Sequence, residues 1–191
     1  STQLVFMLER TFWWLHIIGI LIFLNYLYFS KHLHILLAFP NTYFANLNPL
    51  GKFENLEAVT NEVKLMMDPN ADPYAAAPAD VVPSKFGASD VQDLNWVQLL
   101  NAYTCTECGR CTSSCPANQT GKKLSPRKIM MDTRDRLEEV GKNIDVNKGV
   151  FVPDNKTLLN DYITPEELWA CTSCNACVEE CPVNISPLSI I

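Results

Sequence analysis

Two short runs of cysteines constrain this chain more than any other feature. The first run is Cys105-x2-Cys108-x2-Cys111-x3-Cys115-Pro116, and the second is Cys171-x2-Cys174-x2-Cys177-x3-Cys181-Pro182. Together they use all 8 cysteines of the 191-residue chain. Thiols this close in sequence suit a shared metal centre better than separate disulfide bridges, which are typical of short secreted domains. The runs therefore predict two metal centres.

The spacing within each run indicates which metal centre to expect. Thiolates suit iron–sulfur clusters because sulfur is a soft ligand that stays deprotonated on the metal. Each run has the spacing that binds a [4Fe–4S] cluster in two-cluster ferredoxins. The main alternative is structural zinc, but zinc sites use separate pairs of ligands and need no third cysteine at the next two-residue interval. We therefore predict two [4Fe–4S] clusters as cofactors.

The resemblance to ferredoxins also implies a ligand set for each cluster. In that arrangement the fourth cysteine, which precedes proline, binds the cluster of the other run. The implied ligands of the first cluster are Cys105, Cys108, Cys111 and Cys181. The implied ligands of the second cluster are Cys171, Cys174, Cys177 and Cys115. We identify no catalytic acid, base or nucleophile, so whether the chain is an enzyme stays open.

A long apolar segment near the start of the chain predicts a transmembrane helix. Residues Thr11 to Phe29, TFWWLHIIGILIFLNYLYF, contain no charged side chain over 19 positions. A helix of that length about spans a ~30 Å hydrocarbon core. Aromatic residues typical of membrane interfaces mark both ends, and basic residues flank the segment: Trp13, Trp14, Tyr26, Tyr28, Arg10 and Lys31. The alternative is a buried helix of a soluble protein.

Three histidines accompany this segment. His16 lies within it, and His32 and His34 lie just beyond its end. Ionisable residues in a membrane are functional candidates, and imidazole binds haem iron or lies near a quinone. His16 and His32 are on the order of 24 Å apart along a helix, so they cannot share one haem. We favour hydrogen-bonding and interfacial roles, and haem b is an open cofactor option that we do not favour.

The chain between the apolar segment and the first run predicts a surface segment, one helix and a connector. The residues after Lys31 are expected to lie on the membrane surface until Pro40 breaks the helix. Residues 53–67 have apolar side chains at close to helical period, and Asp68-Pro69 ends that helix. Four prolines then predict an extended connector: Pro69, Pro73, Pro78 and Pro83.

Three further helices are predicted around the cysteines. Ser89, with Gln92 as its capping-box partner, begins a helix that leads into Cys105. Ser125-Pro126 begins a second helix that ends near Gly141, and residues 143–163 follow as an irregular connector. Thr164-Pro165 begins a short third helix that leads into Cys171.

The two halves of the cysteine region read as an internal repeat. Thr106 matches Thr172, Asn118 matches Asn184, and Ser125-Pro126 matches Ser186-Pro187. The first copy continues into a full helix, whereas the second stops at Ile191, so we expect the second copy to be truncated. The predicted domains are residues 1–40 (transmembrane helix and interfacial segment), 41–88 (linker with one short helix) and 89–191 (ferredoxin domain). The predicted fold class is mainly α.

The long helical insert between the runs resembles the α-helical ferredoxin domain. That domain occurs in the iron–sulfur subunits of succinate dehydrogenase and fumarate reductase, and in heterodisulfide reductases. Succinate dehydrogenase subunits carry a [2Fe–2S] domain in front of it, but residues 1–104 of this chain contain no cysteine. The chain therefore resembles a membrane-bound, heterodisulfide-reductase-related iron–sulfur protein.

This resemblance implies electron transfer through two [4Fe–4S] clusters between a quinone pool and a soluble site or partner. The implied partners are the membrane, other subunits of an oxidoreductase complex and quinone. The implied location is the inner membrane, crossed once, with the clusters on the cytoplasmic side. The net charge of -6 leaves no basic excess for nucleic-acid binding. One alternative is a non-conducting structural or sensor subunit, and another is a fragment of a catalytic thiol–disulfide reductase whose active domain lies downstream.

Overall fold

The computed structural model describes residues 2–30, 32–52, 55–68 and 85–191. Within these ranges the chain is mainly helical and contains no β-strand, only an isolated bridge between Leu159 and Ile163. The α-helices are α1 (Thr2–Leu27), α2 (Leu33–Tyr43), α3 (Glu57–Met67), α4 (Trp96–Thr104), α5 (Arg110–Ser113), α6 (Pro116–Gln119), α7 (Pro126–Val146), α8 (Pro165–Trp169) and α9 (Ala176–Glu179). The predicted proline connector, Phe53 and Lys31 lie outside the described residues. The predicted domain boundaries stay predictions.

Helix α1 is the apolar segment predicted from the sequence, with different ends. It has 26 residues and is about 39 Å long, and by length and composition it is a candidate membrane span. It ends at Leu27 rather than Phe29 because the chain tightens into a turn. The Phe29 N–H donates to the Tyr26 carbonyl, and the Ser30 N–H and hydroxyl donate to the Leu27 carbonyl.

Helix α2 shows that the predicted break at Pro40 is wrong. Pro40 lies inside the helix, which continues to Tyr43. A proline removes one backbone hydrogen bond from a helix interior. The last turn is nevertheless stabilised, because α2 packs along α4 and the buried Asn41 bonds to the backbone of Val183.

The predicted helix start at Ser89 is also wrong. Asp90 instead caps a single 3₁₀ turn over Val91–Asp93, and the Asp93 carboxylate accepts the N–H groups of Ser89 and Asp90. A second cap, Asn95 with Gln98, then begins α4. Two cap signals close together produce two elements, and only α4 leads directly into Cys105.

Helix α7 is the central element of the cysteine region and runs past its predicted end at Gly141. Glycine inside a helix costs about 1 kcal/mol relative to alanine, which does not end a helix whose flanking residues pack. Val140 is buried and Ile144 packs against the same core, so the helix gains by continuing. It ends at Val146, and the Gly149 N–H, at φ 95°, donates to the Ile144 carbonyl.

The predicted capping box at Thr164 is confirmed. The Thr164 hydroxyl accepts the Glu167 N–H, and the Glu167 carboxylate accepts the Thr164 N–H at 2.8 Å. The short helix α8 that follows leads into Cys171. The core lies between α7, the turn over residues 158–162 and the start of α4, and its buried apolar side chains include Val91, Leu124, Ile129, Val140, Leu158 and Ile163.

Candidate iron–sulfur cluster sites

The two cysteine runs have the same backbone path. Glu107 and Ser173 follow the first cysteine of each run by two residues and have φ angles of 59° and 52°. Gly109 and Asn175 occupy the next equivalent position, with φ angles of 82° and 61°. Positive φ is strained for most side chains, and such strain concentrates at functional sites. The repeat seen in the sequence is therefore also a repeat of conformation.

Each loop ends in a one-turn helix that carries the third cysteine. Cys111 lies on α5 and Cys177 on α9. The two helices contact each other, so the two runs lie side by side. Proximity of this kind is what electron exchange between two cofactors requires.

The structure brings the first three cysteines of run one together with the fourth cysteine of run two. One cavity is lined by Cys105, Cys108, Cys111 and Cys181. Met130 and Ile185 line the same cavity. Ile185 also donates its N–H to the Cys181 sulfur at 3.4 Å.

A second cavity takes the complementary four cysteines. It is lined by Cys171, Cys174, Cys177 and Cys115, with Leu124, Pro126 and Leu188 among the surrounding residues. The Ser173 N–H donates to the Cys171 sulfur at 3.3 Å. The two four-cysteine groups are the ligand sets implied by the ferredoxin resemblance, and their role as ligands stays a proposal.

The residues at both cavities fit a [4Fe–4S] cluster by donor chemistry. Each cavity offers four cysteine sulfurs and at least one N–H···S hydrogen bond, which are the contacts that hold and tune such clusters. Across the described ranges, no three His, Cys, Asp or Glu side chains are grouped to hold a metal ion. A [4Fe–4S] cluster does not require its ligands to converge on one ion, because each thiolate binds a different iron. The fit therefore rests on four cysteines that surround a cavity.

Burial disfavours the charged form of several of these thiols. It raises the pKa of Cys177 to about 12, with neighbouring cysteines adding to the effect. Burial also raises the pKa of Cys105 and of Cys111. Binding of metal must therefore displace protons from thiols that hold them firmly.

The charged surroundings of the two cavities differ. Arg110, Arg127 and Glu180 line the first cavity, whereas none of the described residues that line the second is charged. Two lysines near the first run pair instead with α8. Lys123 contacts Glu166 at 2.5 Å, and Lys128 contacts Glu167 at 3.0 Å.

Several residues that support the sites carry no signal in the cysteine spacing. Arg134 pairs with Glu107 at 2.7 Å and so fixes the loop between Cys105 and Cys108. Asn101, on α4, accepts the Ser186 N–H at 3.3 Å. Asn41 donates to the Val183 carbonyl at 2.7 Å. Only Asn41 and Asn101, as polar residues on largely apolar helices, offered a clue in the sequence.

The three histidines lie near the end of α1 or within it, away from the cysteines in sequence. His16 and His32 are exposed. The His32 ring lies 5.9 Å from the Phe23 ring and 6.4 Å from the His34 ring. Their proposed roles, including binding of haem b, stay predictions.

Comparison with known proteins identifies the cysteine region. Residues 104–185 match the family of 4Fe-4S dicluster domains. These residues are a 4Fe-4S dicluster domain. The domain has 8 cysteines and binds two [4Fe–4S] clusters.

The whole chain aligns with longer iron–sulfur proteins. It is 32% identical to a probable iron-sulfur-binding oxidoreductase, FadF, of Bacillus subtilis, over 90% of this chain and 25% of that protein. It is 28% identical to an EtfAB:quinone oxidoreductase of Syntrophomonas wolfei, over 97% of this chain and 25% of that protein. The chain thus spans about a quarter of the length of these two relatives.

Shorter alignments connect the dicluster domain to other proteins. A probable membrane-anchored ferredoxin of Chromohalobacter salexigens is 33% identical over 59% of this chain and 18% of that protein. C subunits of heterodisulfide reductases from Methanopyrus and Methanosarcina align with 44–45% of the chain. No solved structure is significantly similar to it. The dicluster domain is thus similar to a region of iron–sulfur oxidoreductases and to C subunits of heterodisulfide reductases.

Proposed function

We propose that the chain carries electrons between a membrane quinone and a soluble oxidoreductase site or partner subunit. The observation that supports this most is the pair of four-cysteine cavities on contacting helices, each completed by a cysteine from the other run. When bound, the two [4Fe–4S] clusters supply one-electron oxidation and reduction. The residues of the chain hold them, orient them and control their exposure to water.

The lining of the two cavities supports the proposed ligand sets. Cys105, Cys108, Cys111 and Cys181 would hold the first cluster. Cys171, Cys174, Cys177 and Cys115 would hold the second. The crossing joins the two runs, since the loss of either fourth cysteine opens one site from the opposite half of the repeat.

We propose that α1 spans the membrane and that α2 lies at its surface. Helix α2 contains no charged residue, and its side chains opposite α4 are apolar and exposed: Ile35, Leu36, Phe39 and Tyr43. Phe39 is 76% exposed and Tyr43 81%. A contiguous set of exposed apolar side chains belongs in an apolar environment. A short turn joins α2 to the candidate span, so the lipid interface is the surface available to this face.

This placement brings the first cavity close to the membrane. Helix α2 packs along α4, and α4 ends at Cys105. The first site is then the one from which quinone would be reached, and the second faces the soluble partner. A cytoplasmic location of the dicluster domain agrees with the reducing compartment that exposed thiolate clusters favour.

The relatives support a membrane location, a quinone reactant and partner subunits. One is an EtfAB:quinone oxidoreductase, one a membrane-anchored ferredoxin, and several are subunits of heterodisulfide reductase. We therefore propose quinone as the membrane reactant and other oxidoreductase subunits as the soluble partners.

A redox titration of the full chain in lipid nanodiscs, followed by EPR, tests the electron-transfer role. Two reversibly reducible [4Fe–4S] signals are expected. Clusters that are present by iron and sulfide analysis but cannot be reduced would defeat the proposal and indicate a structural or sensor role.

A second measurement tests the quinone assignment separately. A quinone analogue is added to the chemically reduced chain in nanodiscs, and the visible absorbance of the oxidised clusters is expected to return. Reversible clusters that the analogue leaves reduced would contradict quinone as the membrane reactant while preserving electron transfer.

A further inference from the structure

A single side chain joins the segment after the candidate membrane helix to the loop of Cys181. Asn41, in the last turn of α2, is 2% exposed. Its Nδ2 donates to the Val183 carbonyl at 2.7 Å, across 142 positions of sequence. Contacts of this range fix the relative position of two distant parts of a chain, so α2 and the second cysteine run are held together here.

The carbonyl oxygen of the Asn41 side chain indicates that packing alone does not explain an asparagine at this position. Within the described part of the chain, Asn41 Oδ1 is buried and has no hydrogen-bond partner. A buried acceptor without a partner carries a desolvation cost, which an apolar residue of similar size avoids. The contact of Nδ2 with Val183 is therefore the interaction that explains an asparagine at this place.

The loop that Asn41 holds carries two groups that face the first cluster site. Cys181 lies two residues before Val183, and both line the first cavity. Ile185 lies two residues after Val183, and its N–H donates to the Cys181 sulfur. On its far side the same loop is held by Asn101, which accepts the Ser186 N–H. The loop is thus fixed at two points, by α2 and by α4.

We propose that Asn41 is a positioning residue for the first cluster site, which links α2 to the reduction potential there. This rests on the proposed ligand sets. Hydrogen bonds to the sulfurs and solvent exposure set the potential of an iron–sulfur cluster. Asn41 acts on both, because it helps to hold the loop that supplies the Cys181 sulfur, the Ile185 N–H and Val183, which lines the cavity. A shift of α2 at the membrane surface would reach the first site through this contact and leave the second site unaffected.

The first repeat offers a matched residue for the second site. Asn118 lies three residues after Cys115, and its Nδ2 donates to the Leu124 carbonyl at 3.0 Å. Leu124 lines the second cavity. Asn118 therefore holds the loop of Cys115 from within its own repeat, without involvement of α2.

Three variants of the full chain in nanodiscs test the proposal: Asn41→Leu, Asn118→Leu and, as a remote control, Asn143→Leu. Asn143 donates to the Val152 carbonyl at 2.9 Å and lies outside both cavities. Redox titration followed by EPR reports each cluster. We expect Asn41→Leu to lower the midpoint potential of the first cluster and alter its EPR line shape, because the N–H···S contact at Cys181 loses its fixed geometry. Asn118→Leu is expected to affect the second cluster, and Asn143→Leu neither.

Loss of the first cluster alone in Asn41→Leu also supports the proposal. Unchanged potentials overturn it, and so does an equal effect on both clusters or loss of both, which indicates a general structural role. The smaller Asn41→Ala, which removes the donor and adds neither bulk nor charge, checks any variant that assembles poorly. Cys181→Ser separates this result from an error in the ligand sets: if it removes the cluster held by Cys171, the ligand sets are wrong whatever Asn41 does.

Discussion

The loop from Cys105 to Cys111 and the loop from Cys171 to Cys177 turn at the same positions but lie against different neighbours. Both have positive φ at the second and fourth residues after the first cysteine. The first site is lined by Arg110, Arg127 and Glu180, and it is reached by α2 through Asn41. The lining of the second combines apolar side chains with the uncharged polar Thr172 and Asn175, and none of the described residues in it is charged.

This difference separates what a motif dictates from what its context adds. The spacing of the cysteines, with a left-handed residue at fixed places, builds the same ligand loop twice. The charges at the first site come from α5, the start of α7 and the residue before Cys181, and the hydrogen bonds that hold the Cys181 loop come from α2 and α4. Since those features set the potential of a cluster, one motif provides two sites with different properties.

The largest expected effect comes from removing a fourth cysteine. Cys181→Ser is expected to lose the cluster of the first site and about half of the bound iron, because its sulfur completes a cavity otherwise formed by the first run. The remaining EPR signal should match that of Cys105→Ser. Cys115→Ser should match Cys171→Ser in the same way. If Cys181→Ser instead resembles Cys171→Ser, each run holds its own cluster and the crossing is wrong.

The next largest effect should fall on both sites together. Arg136 is fully buried on α7 and donates to Asp90 at 2.8 Å and to Asp154 at 2.5 Å. Arg136→Met leaves two carboxylates without their cation and is expected to cost roughly 3–5 kcal/mol of folding free energy. Denaturant unfolding of the cluster-loaded chain measures this, with the surface variant Lys142→Ala as control. Selective loss of one cluster would show that α7 does not support the two sites equally.

The sequence predicted two [4Fe–4S] clusters because the cysteine spacing within each run is a local property. Thr164-Pro165 gave a correct helix start for the same reason, since a capping box needs only four adjacent residues. The apolar composition of residues 11–29 predicted α1, apart from its ends, because length and hydropathy decide such a helix without any partner. These features depend on few neighbours, so they can be read from the chain directly.

The sequence predictions that were wrong concern helix ends, and those ends depend on contacts with residues elsewhere in the chain. Pro40 and Gly141 are helix breakers by propensity, but packing on α4 and on the core carries α2 and α7 past them. Ser89 does not cap a helix, because two other cap residues follow within a few positions. Asp90 caps the 3₁₀ turn and Asn95 caps α4. Some contacts join residues far apart in sequence, and no local pattern predicts them. They are the contacts of Asn41, Arg134 and Arg136.

A smaller effect is expected on the pH dependence of the free energy of unfolding. Hydrogen bonds from Arg136 lower the pKa of Asp154 to about 2, below the ~3.9 of an unfolded chain. The carboxylate therefore stabilises the fold above pH ~4, and this contribution is lost as the pH falls from about 4 toward about 2. Because Asp154 is partly exposed, the advantage of the wild type over Asp154→Asn at neutral pH is expected to be about 1–2 kcal/mol. Unfolding at several pH values measures it, and a difference that does not shrink in acid would contradict the assignment.

The smallest expected effect tests whether the two ligand loops are equivalent. Gly109 has φ 82°, and its counterpart Asn175 has φ 61°. An added Cβ at Gly109 meets no described atom within 4 Å, so any cost of substitution comes from the backbone conformation alone. Asparagine tolerates the left-handed region better than alanine does. Gly109→Ala is therefore expected to cost roughly 1 kcal/mol of folding free energy and Gly109→Asn less than half of that, with both clusters retained.

Thermal unfolding and iron content measure these two effects. Equal costs for the two variants would mean that Asn175 is stabilised by contacts of its own, and that the loops share a shape without sharing its cause.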